Sequence, residues 1–153
     1  MPIIKQEIYI DAPREICFQL ARDIETHTRT TASSKEKAVG GKTSGLLEKG
    51  DTVTWEATHL GIRQQLTAKI TEMEEPHRFI DEMVTGAFHS FTHIHTFISS
   101  GRGTIMKDRF AYKSPLGLFG ILADKVIVKK YMQRFLASRA DELKRIAEEE
   151  HRG

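Results

Sequence analysis

The sequence contains few of the residues that mark several large classes of protein. Its 153 residues include one cysteine and one tryptophan. The lone Cys17 excludes an internal disulfide and the cysteine-rich zinc motifs, and its apolar helical surroundings predict a buried, unreactive thiol. No apolar run approaches the ~20 residues that span a bilayer, so we expect no stable membrane insertion.

The charge is small and evenly spread along the chain. Lysine and arginine number 23 against 21 acidic residues, which leaves a net charge of +2. Without a basic run or a basic–aromatic alternation, nucleic acid is not an expected partner. The opening segment MPIIKQEIYI lacks the basic and long apolar parts of a signal peptide. We expect a soluble, cytoplasmic, single domain over 1–153, with 147–153 a frayed tail, and the oligomeric state stays open.

Hydrophobic periodicity predicts an α+β protein. A first strand over 3–10 precedes a short helical segment, and about six further strands follow between 36 and 113. Ser114 and Pro115 predict a helix start, and the pattern then predicts one long helix from Leu118 to Ala147. A long helix needs a wide surface, so we expect a seven-stranded curved antiparallel sheet around it, with an internal cavity.

The segment 86–97, GAFHSFTHIHTF, places three histidines on one face of a strand together with two phenylalanines. The next strand, 104–113, has three cations on its odd positions, so we expect its even positions to point inward. The two strands are expected to pair with the histidine face on that same inner side. Pairing Phe97 with Thr104 sets His95 opposite Met106 and His93 opposite Asp108. The same register sets Phe91 opposite Phe110 and His89 opposite Tyr112.

Six segments spread over the whole chain form a recognisable set: DAP at 11–13, GDTVTWEATHLG at 50–61, PHRFID at 76–81, GAFHSFTHIHTF at 86–97, GTIMKDRFAYKSPLG at 103–117 and RADELK in the last helix. Together they resemble the START-like helix-grip superfamily (SRPBCC), in its bacterial polyketide cyclase/dehydrase and lipid-transport branch. This resemblance implies a helix-grip fold whose cavity holds a small hydrophobic ligand.

Parity along the strands and the stripe of the long helix predict the cavity wall. The candidate ligand-binding residues are Trp55, His59, Gln64, Leu66, Phe79, Asp81, Met83, His89, Phe91, His93, His95, Met106, Asp108, Phe110, Tyr112, Leu122, Val128, Met132 and Phe135. We expect His27, His77 and His151 to be ordinary surface residues.

Three interpretations of the polar patch around His93, His95 and Asp108 are open. The pair His93 and Asp108 could anchor a ligand, could act as acid and base in a cyclase or dehydratase, or could join a metal site in which His93 and His95 are ligands. No nucleophile is suitably placed, since Ser90 has the opposite parity. We expect a carrier or sensor that binds a lipid, isoprenoid, quinone or polyketide-like molecule without covalent chemistry, metal or cofactor. An interaction protein with a structural cavity is the remaining alternative.

Overall fold

One antiparallel sheet of seven strands dominates the computed structural model, which describes residues 2–86, 88–115 and 125–153. The strands are β1 (Ile3–Ile10), β2 (Lys37–Gly41), β3 (Thr52–His59), β4 (Ile62–Glu74), β5 (Arg78–Thr85), β6 (Phe88–Ser100) and β7 (Gly103–Pro115). They lie in the order β1-β7-β6-β5-β4-β3-β2. The predicted seven-stranded curved sheet is confirmed.

The helices pack on the inner face of this sheet. They are α1 (Arg14–Ala21), α2 (Ile24–Thr30), a 3-10 turn at Ala32–Ser34 and the long α3 (Lys125–Arg152). The apolar stripe of α3, with residues three and four apart, is buried against the sheet and the shorter helices through Val128, Met132, Leu136, Ala140, Leu143 and Ile146. None of the helices in the described ranges combines the length and apolarity that crossing a membrane requires.

Both ends of the predicted long helix need correction. Ser114 and Pro115 belong to the end of β7, where Pro115 pairs with Phe88, instead of starting a helix. A Ser-Pro pair fits this place because the residue before a proline prefers an extended backbone. At the other end α3 continues past Ala147 to Arg152. The predicted helical residues 118–124, Leu122 among them, lie outside the described residues.

Strand β7 shows which face of the sheet is inward. Its even positions from Thr104 to Tyr112 are buried, whereas Lys107 and Arg109 between them are exposed. Buried and more exposed side chains alternate along the strand because successive side chains point to opposite faces of the sheet. The predicted inner face of this strand is therefore confirmed.

The pairing of β6 with β7 differs from the predicted register by two residues. Phe97 pairs with Met106 and His95 with Asp108, because the strands continue to Ser100 and Gly103 around a two-residue turn. Gly101 at this turn has a φ of 60°, a conformation that glycine adopts without steric cost. A shift of two residues leaves every side chain on its predicted face, so only the partners change.

The buried apolar residues form two main groups along the sheet. One lies under α1 and includes Phe18, Phe79, Phe97 and Leu143. The other lies under the first half of α3 and is rich in aromatic rings. The buried polar residues include His93, His95 and Asp108, and the cavity is lined mainly by residues of the second group.

Candidate functional site

A cavity of about 140 Å³ lies between the sheet and α3. Its lining is mostly apolar and includes eleven of the predicted residues, which are Trp55, His59, Gln64, Leu66, Asp81, Phe91, His93, Phe110, Val128, Met132 and Phe135. Strands β3 to β7 supply one wall by their alternation, and the stripe of α3 supplies the other. An apolar enclosure with a few polar groups is typical of a small-molecule site.

Other predicted residues lie beside this cavity instead of lining it. Phe79 stacks on His95 with ring centroids 4.3 Å apart, and Tyr112 is fully buried with its ring 5.6 Å from that of Phe110. Met83 packs against the aromatic group under α3. Together with His93, the residues His95, Met106 and Asp108 border a smaller space of about 30 Å³.

The prediction that His89 faces the cavity is wrong. His89 is exposed, and its neighbour Phe88 lines the cavity and packs its ring 6.3 Å from that of Phe91. The register of β6 with β7 is unchanged along this stretch. The alternation of buried and exposed side chains that holds from Phe91 onward nevertheless does not extend to the first residues of the strand.

Four buried or nearly buried side chains form what we call the aspartate cluster: Asp81, His93, His95 and Asp108. His95 Nε2 lies 2.7 Å from Asp81 Oδ2, and its Nδ1 lies 3.1 Å from Asp108 Oδ1. His93 Nε2 also lies 3.1 Å from Asp108 Oδ1, so the predicted contact between His93 and Asp108 is present. His95, expected beside Met106 alone, is the more highly connected histidine.

The two histidines of this cluster differ in protonation. Burial alone would lower the pKa of His95, but hydrogen bonds to Asp108 and Asp81 raise it to about 9. Burial, together with the neighbouring charge of His95, holds the pKa of His93 below its usual value. At neutral pH the metal-free cluster therefore holds a charged His95 between two carboxylates and a neutral His93 that faces the cavity.

A second polar group, which we call the glutamate cluster, was not predicted: His27, Glu36, His59, Tyr131 and Arg139. His27 Nε2 donates to Glu36 Oε1 at 2.8 Å, and its Nδ1 accepts from Arg139 Nη2 at 3.1 Å. His59 Nε2 lies 3.6 Å from Glu36 Oε2, and its Nδ1 lies 2.6 Å from the Tyr131 hydroxyl. All five side chains line the cavity.

The expectation that His27 is a surface residue is therefore wrong. Only 17% of its side chain is exposed, and its ring stacks on Trp55 with centroids 3.9 Å apart. The hydrogen bond to Glu36 and the one from Arg139 use both ring nitrogens of a neutral imidazole. Burial, followed by the positive charge of Arg139, lowers the pKa of His27, which agrees with that neutral form.

Glu36 is the anion at the centre of this cluster. Burial alone would raise its pKa, but the hydrogen bond that His27 donates and the positive charge of Arg139 lower it to about 2. Ser34 Oγ also donates to Glu36 Oε2 at 3.0 Å. Glu36 is consequently ionised at neutral pH even though its residue is only 7% exposed.

One sequence signal could have identified Arg139. It follows Met132 by seven residues and Leu136 by three, and it therefore shares the inward stripe of α3 with them. A cationic side chain within an apolar stripe is unusual, because charged residues are rarely buried unless they are paired. Glu36 offers no comparable signal, because it stands in a polar connection between α2 and β2.

The chain belongs to the family described as "Polyketide cyclase / dehydrase and lipid transport", which it matches over residues 1–148. This match confirms the resemblance noted from the strand motifs. Comparison with curated proteins gives no match.

Solved structures with the same fold come from bacteria and plants. TTHA0849 from Thermus thermophilus is 23% identical, with a TM-score of 0.77 over 94% of this chain and 95% of that one. A START superfamily protein from Mycobacterium smegmatis is 14% identical, with a TM-score of 0.72 over 96% and 97%. Ginseng major latex-like protein 151 from Panax ginseng is 13% identical, with a TM-score of 0.71 over 95% and 97%. These likenesses establish the helix-grip fold.

Proposed function

We propose that this protein binds a small hydrophobic ligand without covalent chemistry, as a carrier or sensor. The observation that carries the proposal is the cavity itself, whose wall is formed largely by aromatic and aliphatic side chains of the sheet and α3. Hydrophobic ligand binding also agrees with the lipid-transport part of the family description. Cys17 is fully buried in the core under α1, so it supplies no nucleophile to the cavity.

The cavity volume limits the occupant. A cavity of about 140 Å³ is close to the volume of about 150 Å³ that accommodates benzene in an engineered apolar site. We therefore propose that a single ring occupies it, either as a small molecule or as the ring end of a quinone, isoprenoid, polyketide-like or lipid molecule. The aspartate and glutamate clusters would meet the polar atoms of that ligand.

Binding can be tested with ethylbenzene as an apolar, ring-sized probe. Trp55 is the only tryptophan of the chain and lines the cavity, so its fluorescence reports occupation. Replacing Ala57 by Leu places additional atoms in the cavity, and we expect the affinity to fall by about tenfold or more. Amide NMR shifts around the cavity would confirm where the probe binds.

The matched control is Ala137→Leu, at an exposed position of α3. It adds the same atoms outside the cavity and is expected to leave the affinity unchanged. Equal affinity of Ala57→Leu and the control would contradict binding in this cavity. Native mass spectrometry of tag-free protein would identify any ligand that co-purifies.

A second candidate function is acid–base catalysis on a ketone, favoured by one specific observation. The neutral ring of His93 lines the cavity while its Nε2 is oriented by Asp108 at 3.1 Å. Such a base would accelerate hydrogen–deuterium exchange next to the carbonyl of acetophenone, which NMR can follow. His93→Gln is expected to abolish the acceleration while the affinity stays within about tenfold. An unchanged exchange rate would reject this function.

A further inference from the structure

Three side chains of metal-ligating type converge at the inner face of the sheet. Asp81 lies on β5, directly opposite His93 of β6, and His95 follows on the same face. One ligand atom from each of the three lies within 4.8 Å of the others. Two imidazoles and one carboxylate are the set that catalytic zinc sites and non-haem iron sites use.

Asp108 stands behind both imidazoles. His93 Nε2 and His95 Nδ1 each lie 3.1 Å from Asp108 Oδ1. In metal sites the ligating histidines donate their other N–H to a carboxylate, which fixes the tautomer and the ring orientation. With Asp108 in that role, Nδ1 of His93 and Nε2 of His95 remain as ligand atoms beside Asp81.

The position of Asp108 is itself fixed. Gln6 Nε2 donates to Asp108 Oδ2 at 3.1 Å and to the Leu136 carbonyl oxygen at 2.9 Å. This amide therefore ties the carboxylate to both β1 and α3. Since Asp108 is 8% exposed, water has little access to loosen the arrangement.

The charges of the aspartate cluster also suit a divalent ion. Metal ligation requires neutral imidazoles. With a metal bound, Asp81 and Asp108 would therefore be the two charged side chains of the aspartate cluster. A divalent cation balances these two carboxylates, and buried carboxylates are costly without such compensation. Nitrogen ligands favour a transition metal over Mg²⁺ or Ca²⁺, which prefer oxygen.

We propose that Asp81, His93 and His95 form a binding site for Zn²⁺ or a chemically similar transition-metal ion, with Asp108 orienting both imidazoles. Asp81 and His93 also line the cavity of about 140 Å³, so the bound ion would face whatever occupies it. An oxygen atom of that occupant could then complete the coordination of the ion. The site is independent of the proposed ligand binding, because either could exist without the other.

The test uses tag-free full-length protein, stripped with a chelator and titrated with ZnCl₂ by calorimetry. We expect one equivalent of zinc to bind and to remain through desalting, as measured by elemental mass spectrometry. His95→Ala should lose this stoichiometric binding. Asp108→Asn should keep the ligands but weaken the affinity by about 10- to 100-fold, the effect typical of a lost supporting carboxylate.

His77→Ala is the matched control, since His77 is exposed and lies in the turn before β5, outside the aspartate cluster. It should bind zinc as the unmodified protein does. Asp81→Asn provides a variant of unchanged size in case His95→Ala does not fold, and it should also lose most of the affinity. Retention well below one equivalent, or full retention by either ligand variant, would overturn the proposal.

Discussion

The two polar clusters that border the cavity are assembled in opposite ways. The hydrogen bonds of the aspartate cluster join residues 14 and 15 positions apart, on strands that pair with one another. In the glutamate cluster, Arg139 reaches His27 over 112 positions, and Tyr131 reaches His59 over 72. Local pairing of strands forms the first cluster, whereas the second is completed only when α3 packs onto the sheet and brings Tyr131 and Arg139 to it.

The two clusters also differ in how their buried charges are compensated. The metal-free aspartate cluster holds its positive charge on His95, between two carboxylates. The glutamate cluster holds one buried anion, Glu36, and spreads its compensation over neutral hydrogen-bond donors and Arg139. We therefore expect the first cluster to be the more sensitive to loss of a single member.

The largest expected effect is that of Asp108→Ala in metal-free protein. Both His93 and His95 would lose a buried acceptor, and removing one partner of a buried ionic pair typically costs about 3–5 kcal/mol of unfolding free energy. Urea denaturation in the presence of a chelator measures the change. Glu72→Ala is the control, because that side chain is 54% exposed, and its effect should stay within about 0.5 kcal/mol. Equal losses in the two variants would contradict a stabilising aspartate cluster.

A somewhat smaller effect is expected from acid titration of Glu36. Its pKa is about 2 in the folded protein and 4.5 ordinarily. A carboxyl whose pKa is lowered by folding contributes stability above its unfolded pKa and loses it as the pH falls through the folded pKa. The contribution at neutral pH is on the order of 3 kcal/mol.

Comparing the unmodified protein with Glu36→Gln between pH 7 and pH 2 isolates this contribution from the other carboxyls. We expect the unmodified protein to be the more stable at pH 7 and the difference to shrink below pH 4.5. Chemical denaturation at each pH measures it. A difference that is constant over this range would mean that the Glu36 charge does not stabilise the fold.

The smallest expected effect is the coupling between the two clusters. No hydrogen bond joins them within the described ranges, although the charge of Arg139 lowers the pKa of both Asp81 and Glu36. In a double-mutant cycle of Asp108→Asn and Glu36→Gln, we expect a coupling below about 0.5 kcal/mol. Denaturation of the four proteins gives this value directly, and a larger coupling would show that the clusters act as one unit.

Much of the fold could be predicted from the periodic spacing of apolar residues along the chain. The inner positions of β7, the seven strands and the long final helix could be predicted because burial of one face imposes a period on the sequence. The β6–β7 register could not, because a shift of two residues satisfies the same pattern. The two-residue turn at Gly101 and Arg102 selected the observed partners.

Only part of the site could be predicted, because strand alternation identifies inward-facing residues but does not identify their partners. Strand alternation predicted the inward orientation of His93, Asp108 and Asp81. The contact between His93 and Asp108 was also predicted and is present. His27 and Glu36 stand in polar segments whose patterns are those of surface connections. Their burial depends on Arg139 and Trp55, which approach them only when α3 and β3 pack together.

By itself, therefore, the sequence determined where most of the strands lie, which of their faces are apolar and that His93 and His95 share an inner face. These properties depend on local backbone periodicity and on the hydrophobic effect, and both act over short stretches of chain. Tertiary structure alone decided that His95 lies between two carboxylates and that Glu36 meets His27 inside the cavity. Such contacts depend on the strand register and on the position of α3 against the sheet. The residue pattern of a single segment determines neither of these.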